Sequence, residues 1–267
     1  MRAHLVQFDI VWEDPDKNFA RVRELLAHAP VDRGDLVLLP EMFGVGFSLN
    51  VRQTAQTNAE TAAFLAATAV DLGAIVQGGL PRLEPGRSHG TNHMTAYAPD
   101  GSLLCDYAKI HPFSYGREGE AFTGGETLSL YDWPAPRGDP LRVCPAVCYD
   151  LRFPELFRVG MLRGAELFAL GANWPDARQT HWRTLLLARA IENQAIVLGV
   201  NRTGADPHLN YIGGSMAVGP KGEVLGELGD EEAVLSVEID PAWVRSWRET
   251  FPARRDIRLI TDAGPDA

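Results

Sequence analysis

The chain has 267 residues, 45% hydrophobic and 22% charged, with 26 Gly and 18 Pro, a globular composition that excludes coiled coil, collagen and disorder. Lys and Arg number 25 against 35 Asp and Glu, a formal net charge of −10, so the overall field repels nucleic acid and anionic membranes and neither is expected as a partner. Three cysteines are too few for a disulfide scaffold, the first residues lack a signal-peptide core, and no window approaches the roughly 20 apolar residues of a membrane span, which together predict a cytoplasmic protein.

Short apolar runs alternate with segments of helical spacing along the whole chain. Residues 3–8 read as a buried strand, and Asp14-Pro15 opens a helix that places Phe19, Val22, Leu25 and Leu26 on one face as far as about Ala29. A second strand covers residues 36–39 and stops at Pro40; a helix over 59–72 and a strand over 74–80 follow. Runs at 91–98 and 102–108 flank Pro99-Asp100-Gly101, the composition of a tight hairpin turn.

The second half repeats the alternation: strand 141–147, helix 154–163, strand 166–170, helix 178–193 and strand 195–201. Strands at 214–218, 223–228 and 233–239 complete it. Helices between some strands and hairpins between others imply mixed sheets covered by helices, an α/β fold. No linker divides the chain, so one domain over 1–267 is expected, with 241–267 as a C-terminal tail.

Three residues could carry chemistry. Cys148 ends an apolar strand and precedes a turn that Pro154 converts into a helix, a place that exposes a side chain beside backbone N–H groups. Glu41 follows the strand of residues 36–39 at Pro40, among Met42 and Phe43, where partial desolvation would suit a base. Lys109 ends the strand of residues 102–108 and could present an ammonium to a developing oxyanion. Taken singly, a free cysteine is more often a packing residue, and a loop Glu or strand-end Lys is more often solvated. What links them is position: each lies at the C-terminal end of a strand, where open α/β sheets collect their sites. Cys105 and Cys144 read as packing residues. His89 and His93 lack the pattern of a metal helix, and Gly44-Val45-Gly46 lacks a dinucleotide loop.

Glu41 in Leu-Pro-Glu-Met-Phe, Lys109 in Lys-Ile-His-Pro-Phe and Cys148 in Val-Cys-Tyr-Asp-Leu-Arg-Phe-Pro-Glu-Leu-Phe-Arg resemble the Glu-Lys-Cys triad of the nitrilase superfamily of carbon-nitrogen hydrolases. The motifs Ala172-Asn173-Trp174-Pro175, His181-Trp182, residues 188–194 and Asn201-Arg202 extend the match toward its omega-amidase branch. The resemblance implies a four-layer α-β-β-α sandwich with mixed sheets, a homodimer, and neither metal nor organic cofactor. It further implies a small-molecule amide substrate, Cys148 as nucleophile, Glu41 as base, and Lys109 with the Tyr149 backbone N–H at the oxyanion. A second glutamate is expected at Glu118, with Glu120 as the rival position. Asp150, Arg152 and Glu155 would form ion pairs behind the nucleophile.

For a keto-acid monoamide of the alpha-ketoglutaramate type, Phe43 and Trp174 would wall the pocket, with Asn173 beside them and Arg178 or Arg202 holding the carboxylate. The same triad serves N-carbamoyl amino acids, deaminated glutathione and nitriles, and a catalytically silent scaffold is the reading from a different class.

Overall fold

The computed structural model describes residues 1–260. Strands β1 (Arg2–Gln7), β2 (Leu36–Leu38), β3 (Ile75–Arg82), β4 (Thr91–Tyr97) and β5 (Leu103–Ala108) build one six-stranded sheet with a late strand, β14 (Ala233–Glu238), in the order β14-β1-β2-β3-β4-β5. The second sheet runs β13-β12-β9-β8-β7-β6, from β6 (Tyr131–Trp133), β7 (Leu141–Val147), β8 (Leu167–Ala172), β9 (Ile196–Asn201), β12 (Met216–Val218) and β13 (Val224–Glu227). Each sheet has three central parallel strands, β1-β2-β3 and β7-β8-β9, flanked by antiparallel neighbours. A short hairpin of β10 (Thr203–Ala205) and β11 (Asn210–Ile212) stands apart.

Strand alternation produces the layers. Leu5, Leu36, Leu38 and Ile75 from the first sheet meet Val143, Leu167, Ala169 and Leu198 from the second in one cluster between the sheets. The opposite faces carry helices. Val6, Val37 and Val76 pack on Phe19 and Val22 of α1 (Pro15–Ala27) and Phe64 and Leu65 of α3 (Asn58–Leu72), with the short α2 (Val51–Thr54) just before α3. Phe168, Leu170 and Val197 pack on Phe157 of α4 (Pro154–Leu162) and Trp182 and Leu186 of α5 (Gln179–Asn193). The result has the mixed, helix-covered sheets that the alternation implied, in the four-layer α-β-β-α sandwich that the resemblance implied.

Helix starts follow local chemistry. The Asp14 carboxylate accepts from the Lys17 backbone N–H at 3.2 Å and Pro15 takes the first turn of α1. The expected C-terminal tail is corrected over its first part: Pro241–Thr250 form a helix, α6, opened by Asp240 accepting from the Ala242 N–H. Val244 enters the core between the sheets, Arg245 pairs with Glu166, and Arg248 donates to the Ala165, Asn193 and Gln194 carbonyls. Its charged residues conceal an amphipathic helix because they satisfy buried carbonyls and a half-buried acid. Residues 261–267 of that tail lie outside the described residues.

Candidate active site

Glu41, Lys109 and Cys148 follow β2, β5 and β7 and converge, although β2 and β5 belong to one sheet and β7 to the other. Lys109 Nζ lies 2.9 Å from Glu41 Oε1 and 2.8 Å from Glu118 Oε2, with all three side chains shut off from solvent. Asn92 Nδ2 donates to Glu41 Oε1 at 2.8 Å and to Glu118 Oε1 at 3.0 Å, tying the two carboxylates together from β4. The other Glu41 oxygen accepts from the Asn173 backbone N–H at 3.0 Å, and Asn173 Nδ2 donates to the Glu41 carbonyl at 2.7 Å. Cys148 Sγ faces the Asn173 carbonyl at 3.8 Å.

Close backbone passage makes this convergence possible. Met42 adopts a left-handed φ of 46° immediately after Glu41, and Cys148 itself has φ 43°, conformations that side-chain-bearing residues adopt only where surroundings enforce them. A Cβ at Gly79 of β3 would lie 2.5 Å from the Met42 nitrogen, and one at Gly171 of β8 would lie 3.0 Å from the Glu41 nitrogen. Glycine at these two positions lets the Glu41 turn pass between strands of the two sheets. On the Cys148 side, Asp150 is fully buried and accepts from the Val147 N–H, the Tyr107 hydroxyl and the His111 N–H. It therefore anchors the nucleophile turn to the segment that carries Lys109.

The charges bias one another. Burial alone would raise the Glu41 carboxyl, but the Lys109 ammonium and the hydrogen bonds from Lys109, Asn173 and Asn92 outweigh it and hold Glu41 below its ordinary value. Burial would lower Lys109, yet Glu118 and Glu41 keep it charged and raise it. Burial pushes the Cys148 thiol well up, Glu41 and Glu118 push it further, and Lys109 only partly counters them. The resting site thus pairs a carboxylate and an ammonium with a protonated thiol. Such a set suits a nucleophile that surrenders its proton to an adjacent base at the moment of attack.

The site opens into a cavity of about 620 Å³, walled by Trp12, Phe47, Phe113, Tyr149 and Trp174 and reaching Lys109, Cys148 and Asn173. Trp174, Asn173 and Arg178 line it as expected. Two expectations are corrected. Phe43 is completely buried and packs on Phe19 and Phe64, because the left-handed turn at Met42 sends it to the helix side of the first sheet. Arg202 does not line the cavity either; its Nη2 donates to Asp9 at 2.7 Å and to the Ile10 and Ala205 carbonyls and its Nε to the Thr203 carbonyl, over the ring of Tyr211. Of the two glutamates after Lys109, Glu118 is the buried partner, and Glu120 is exposed and paired with Arg117.

Arg152 also departs from expectation. It lies on the cavity wall against the faces of Tyr149 and Trp174, and its Nη2 lies 3.2 Å from His181 Nδ1, while Glu155 is exposed. Asn92 escaped the sequence reading; its strand also carries Thr91, His93 and Thr95, so one more polar residue there gave no signal.

The carbon-nitrogen hydrolase family model matches residues 2–249. The chain is 34% identical over 258 residues to an omega-amidase, YafV, of Yersinia enterocolitica, covering 96% of each protein, and 32% identical to a 2-oxoglutaramate amidase of Bacillus subtilis, covering 95% of this chain and 96% of that one. Among solved structures, a CN-hydrolase superfamily protein of Xanthomonas campestris with an arsenic adduct in its active site superposes with a TM-score of 0.89 at 34% identity, covering 98% of each chain. A glutamate-to-glutamine mutant of a Nesterenkonia amidase, carrying the acetamide moiety of fluoroacetamide on its active-site cysteine, gives a TM-score of 0.82 at 29% identity over 96% of this chain and 97% of that one. This chain belongs to the carbon-nitrogen hydrolase family of the nitrilase superfamily.

Proposed function

We propose that the protein is a thiol-dependent amidase that hydrolyses the terminal amide of short keto-dicarboxylic acid monoamides, of which 2-oxoglutaramate is the type. The observation that carries this reading is the fully buried Lys109 held between Glu41 and Glu118 at the end of an aromatic cavity that also exposes Cys148. Relatives named omega-amidase and 2-oxoglutaramate amidase, matched over nearly the whole chain, supply the substrate class.

The mechanism follows from the charge count. Ionising Cys148 alone would place a third anion beside Glu41 and Glu118 with one cation among them, so the proton moves to Glu41 as sulfur attacks the amide carbon. The carbonyl oxygen becomes an oxyanion, met by the Lys109 ammonium and the Tyr149 backbone N–H; one such donor contributes about 3 kcal/mol. Glu41 returns its proton to the amide nitrogen, the C–N bond breaks and ammonia leaves a thioester on Cys148. Water then gives a proton to Glu41 and attacks the thioester. The C–S bond breaks, releasing the acid, and the proton returns to sulfur. Glu118 fixes Lys109 throughout.

Cavity cations fit an anionic substrate in a chain of net charge −10: Arg152 and Arg178 both line the wall, whereas Arg202 is engaged elsewhere. A reducing, cytoplasmic setting agrees with three free buried cysteines and with a thiol nucleophile, and no helix among the described residues is long and apolar enough to cross a membrane. The homodimer implied by the resemblance is part of the same reading; light scattering would report twice the 29.2 kDa chain mass.

The decisive experiment is intact-protein mass spectrometry during turnover of 2-oxoglutaramate, with ammonia release measured in parallel. An acyl adduct on wild type that vanishes in Cys148→Ala, together with loss of ammonia release by about 10⁴-fold or more, is the expected result. Ammonia release from nitriles but not from keto-acid monoamides would overturn the substrate class, and undiminished activity in Cys148→Ala would overturn the mechanism.

A further inference from the structure

Like Arg152 against Tyr149 and Trp174, Arg178 is held at the cavity wall by aromatic faces. Its guanidinium carbon lies 5.4 Å from the ring centre of Phe113 and 5.9 Å from that of Tyr115, and it makes no ion pair among the described residues. Arginines of the same acidic chain that stand near a carboxylate take it, as Arg82 does with Asp106, Arg117 with Glu120 and Arg183 with Glu227. Arg178 instead has aromatic faces as neighbours, which attract the cation without neutralising it and leave its N–H donors free for an anion.

The support behind it is built. Trp174 Nε1 donates to the Arg178 carbonyl at 2.9 Å, fixing the backbone. Phe113 is fixed through its own N–H, which donates to Glu118 Oε2 at 2.5 Å, so the ring under Arg178 is tied to the glutamate that grips Lys109. Gly116 lets the loop fold tightly over that ring, since a Cβ there would lie 2.4 Å from Phe113 Cδ1. Tyr115, by contrast, is 84% exposed and has no core to fill. A large aromatic held in water at a cavity rim, beside an unneutralised cation, is more readily explained by what enters the cavity than by folding.

We infer that Tyr115 and Phe113 form an aromatic clamp that orients Arg178 to receive the distal carboxylate of the substrate, making Tyr115 a specificity-determining residue and Arg178 the group it positions. This rests on the amidase reading above and adds to it the device that selects an anionic short amide over a neutral one. Planarity matters: a guanidinium lies flat against a ring and still presents a forked N–H edge, which a lysine ammonium cannot reproduce.

The test compares kcat and KM for 2-oxoglutaramate and for pentanamide, which has the same chain length and no carboxylate, in wild type and in Arg178→Met, Arg178→Lys, Tyr115→Ala and Tyr115→Phe. In Arg178→Met, kcat/KM for the anionic amide should fall at least about twentyfold more than for pentanamide, the range of a charge-assisted hydrogen bond. Tyr115→Ala should raise KM for the anionic amide about fivefold relative to pentanamide, as expected of a partly exposed cation–π contact. Tyr115→Phe should restore the wild-type ratio, and Arg178→Lys should not.

Equal losses on both amides in Tyr115→Ala, or a preference for the anionic amide that survives Arg178→Met, would overturn the clamp while leaving the amidase reading intact. A wild-type enzyme that prefers pentanamide would overturn the substrate class of both. If wild type hydrolyses neither amide, the amidase reading falls, and binding of glutarate to wild type against Arg178→Met decides the clamp: equal affinity overturns it, and at least twentyfold weaker binding by the variant supports it.

Discussion

Two buried cations stand at strand ends, one in each sheet, and behave in opposite ways. Lys109 follows β5, Arg202 follows β9, and both side chains are shielded from solvent. Lys109 meets two carboxylates that are themselves fully buried, at the wall of an open cavity. Arg202 meets one half-exposed carboxylate, Asp9, and three backbone carbonyls, and ties the β10–β11 hairpin to the segment after β1. A strand-end cation can therefore be part of the chemistry or part of the frame. What separates the two is whether its partners are groups that can change protonation beside a space large enough for a ligand.

Substitution should break this likeness cleanly. Lys109→Met leaves Glu41 and Glu118 facing each other in the interior without a cation, and removing one partner of such an assembly costs about 3 to 5 kcal/mol. It also removes an oxyanion donor, so turnover of the folded protein should drop by a further factor of about 10² to 10³. Arg202→Met strands the Ile10, Thr203 and Ala205 carbonyls and should cost about 3 kcal/mol of stability. Its folded fraction should keep near wild-type kcat/KM. Urea midpoints combined with ammonia-release rates separate the two outcomes; a catalytic loss in Arg202→Met as large as that in Lys109→Met would erase the distinction.

The same contrast extends to pH. Glu41 is held below its unfolded value of about 4.3, so its stabilising contribution is present above that value and is lost as pH falls through the lower folded value. Lys109 is raised above its unfolded value of about 10.4, so its contribution is complete below that value and is lost as pH rises through the folded one. Between them the site keeps one protonation state. The profile of kcat/KM should accordingly be flat across the neutral range and fall tenfold per pH unit only on the acid side of about pH 4.3. An acid limb near pH 6 to 7 would point to a base other than Glu41.

Part of this was legible in the sequence and part was not, for reasons that particular residues show. The alternation of short apolar runs and helical stretches carries the layers, because strand and helix periods differ and each buries its own face. Glu41, Lys109 and Cys148 were legible because each ends a strand where the chain turns away. Phe43 and Arg202 stand at strand ends too, yet their side chains leave the site. Their direction depends on the φ of 46° at Met42 and on Asp9, which is 193 residues from Arg202. Asn92 was missed because its role exists only through Glu41 and Glu118, 51 and 26 positions away, brought together by sheet pairing. The helix Pro241–Thr250 is hard to see in the sequence because the burial of Arg245 and Arg248 depends on Glu166 and on carbonyls at Ala165, Asn193 and Gln194, far away in the chain.

The choice between Glu118 and Glu120 gives the finest version of the comparison, since two residues of one type stand two positions apart in a short turn. Glu118 accepts from Lys109, Asn92 and the Phe113 N–H with its side chain fully buried. Glu120 reaches out to Arg117 in solvent, where screening and side-chain entropy leave little net interaction. Both Glu118 oxygens accept from Lys109, so Glu118→Gln places an amide N–H against the ammonium in either flip, and against either the Phe113 N–H or the Asn92 amide as well, which loosens the cation. Turnover should fall about a hundredfold or more. Glu120→Gln should leave the melting temperature and kcat/KM within experimental error of wild type, because nothing it touches faces the cavity. A measurable catalytic loss there would mean that the whole 114–120 turn moves as one piece, and that burial of the individual side chain is not what decides its part in the reaction.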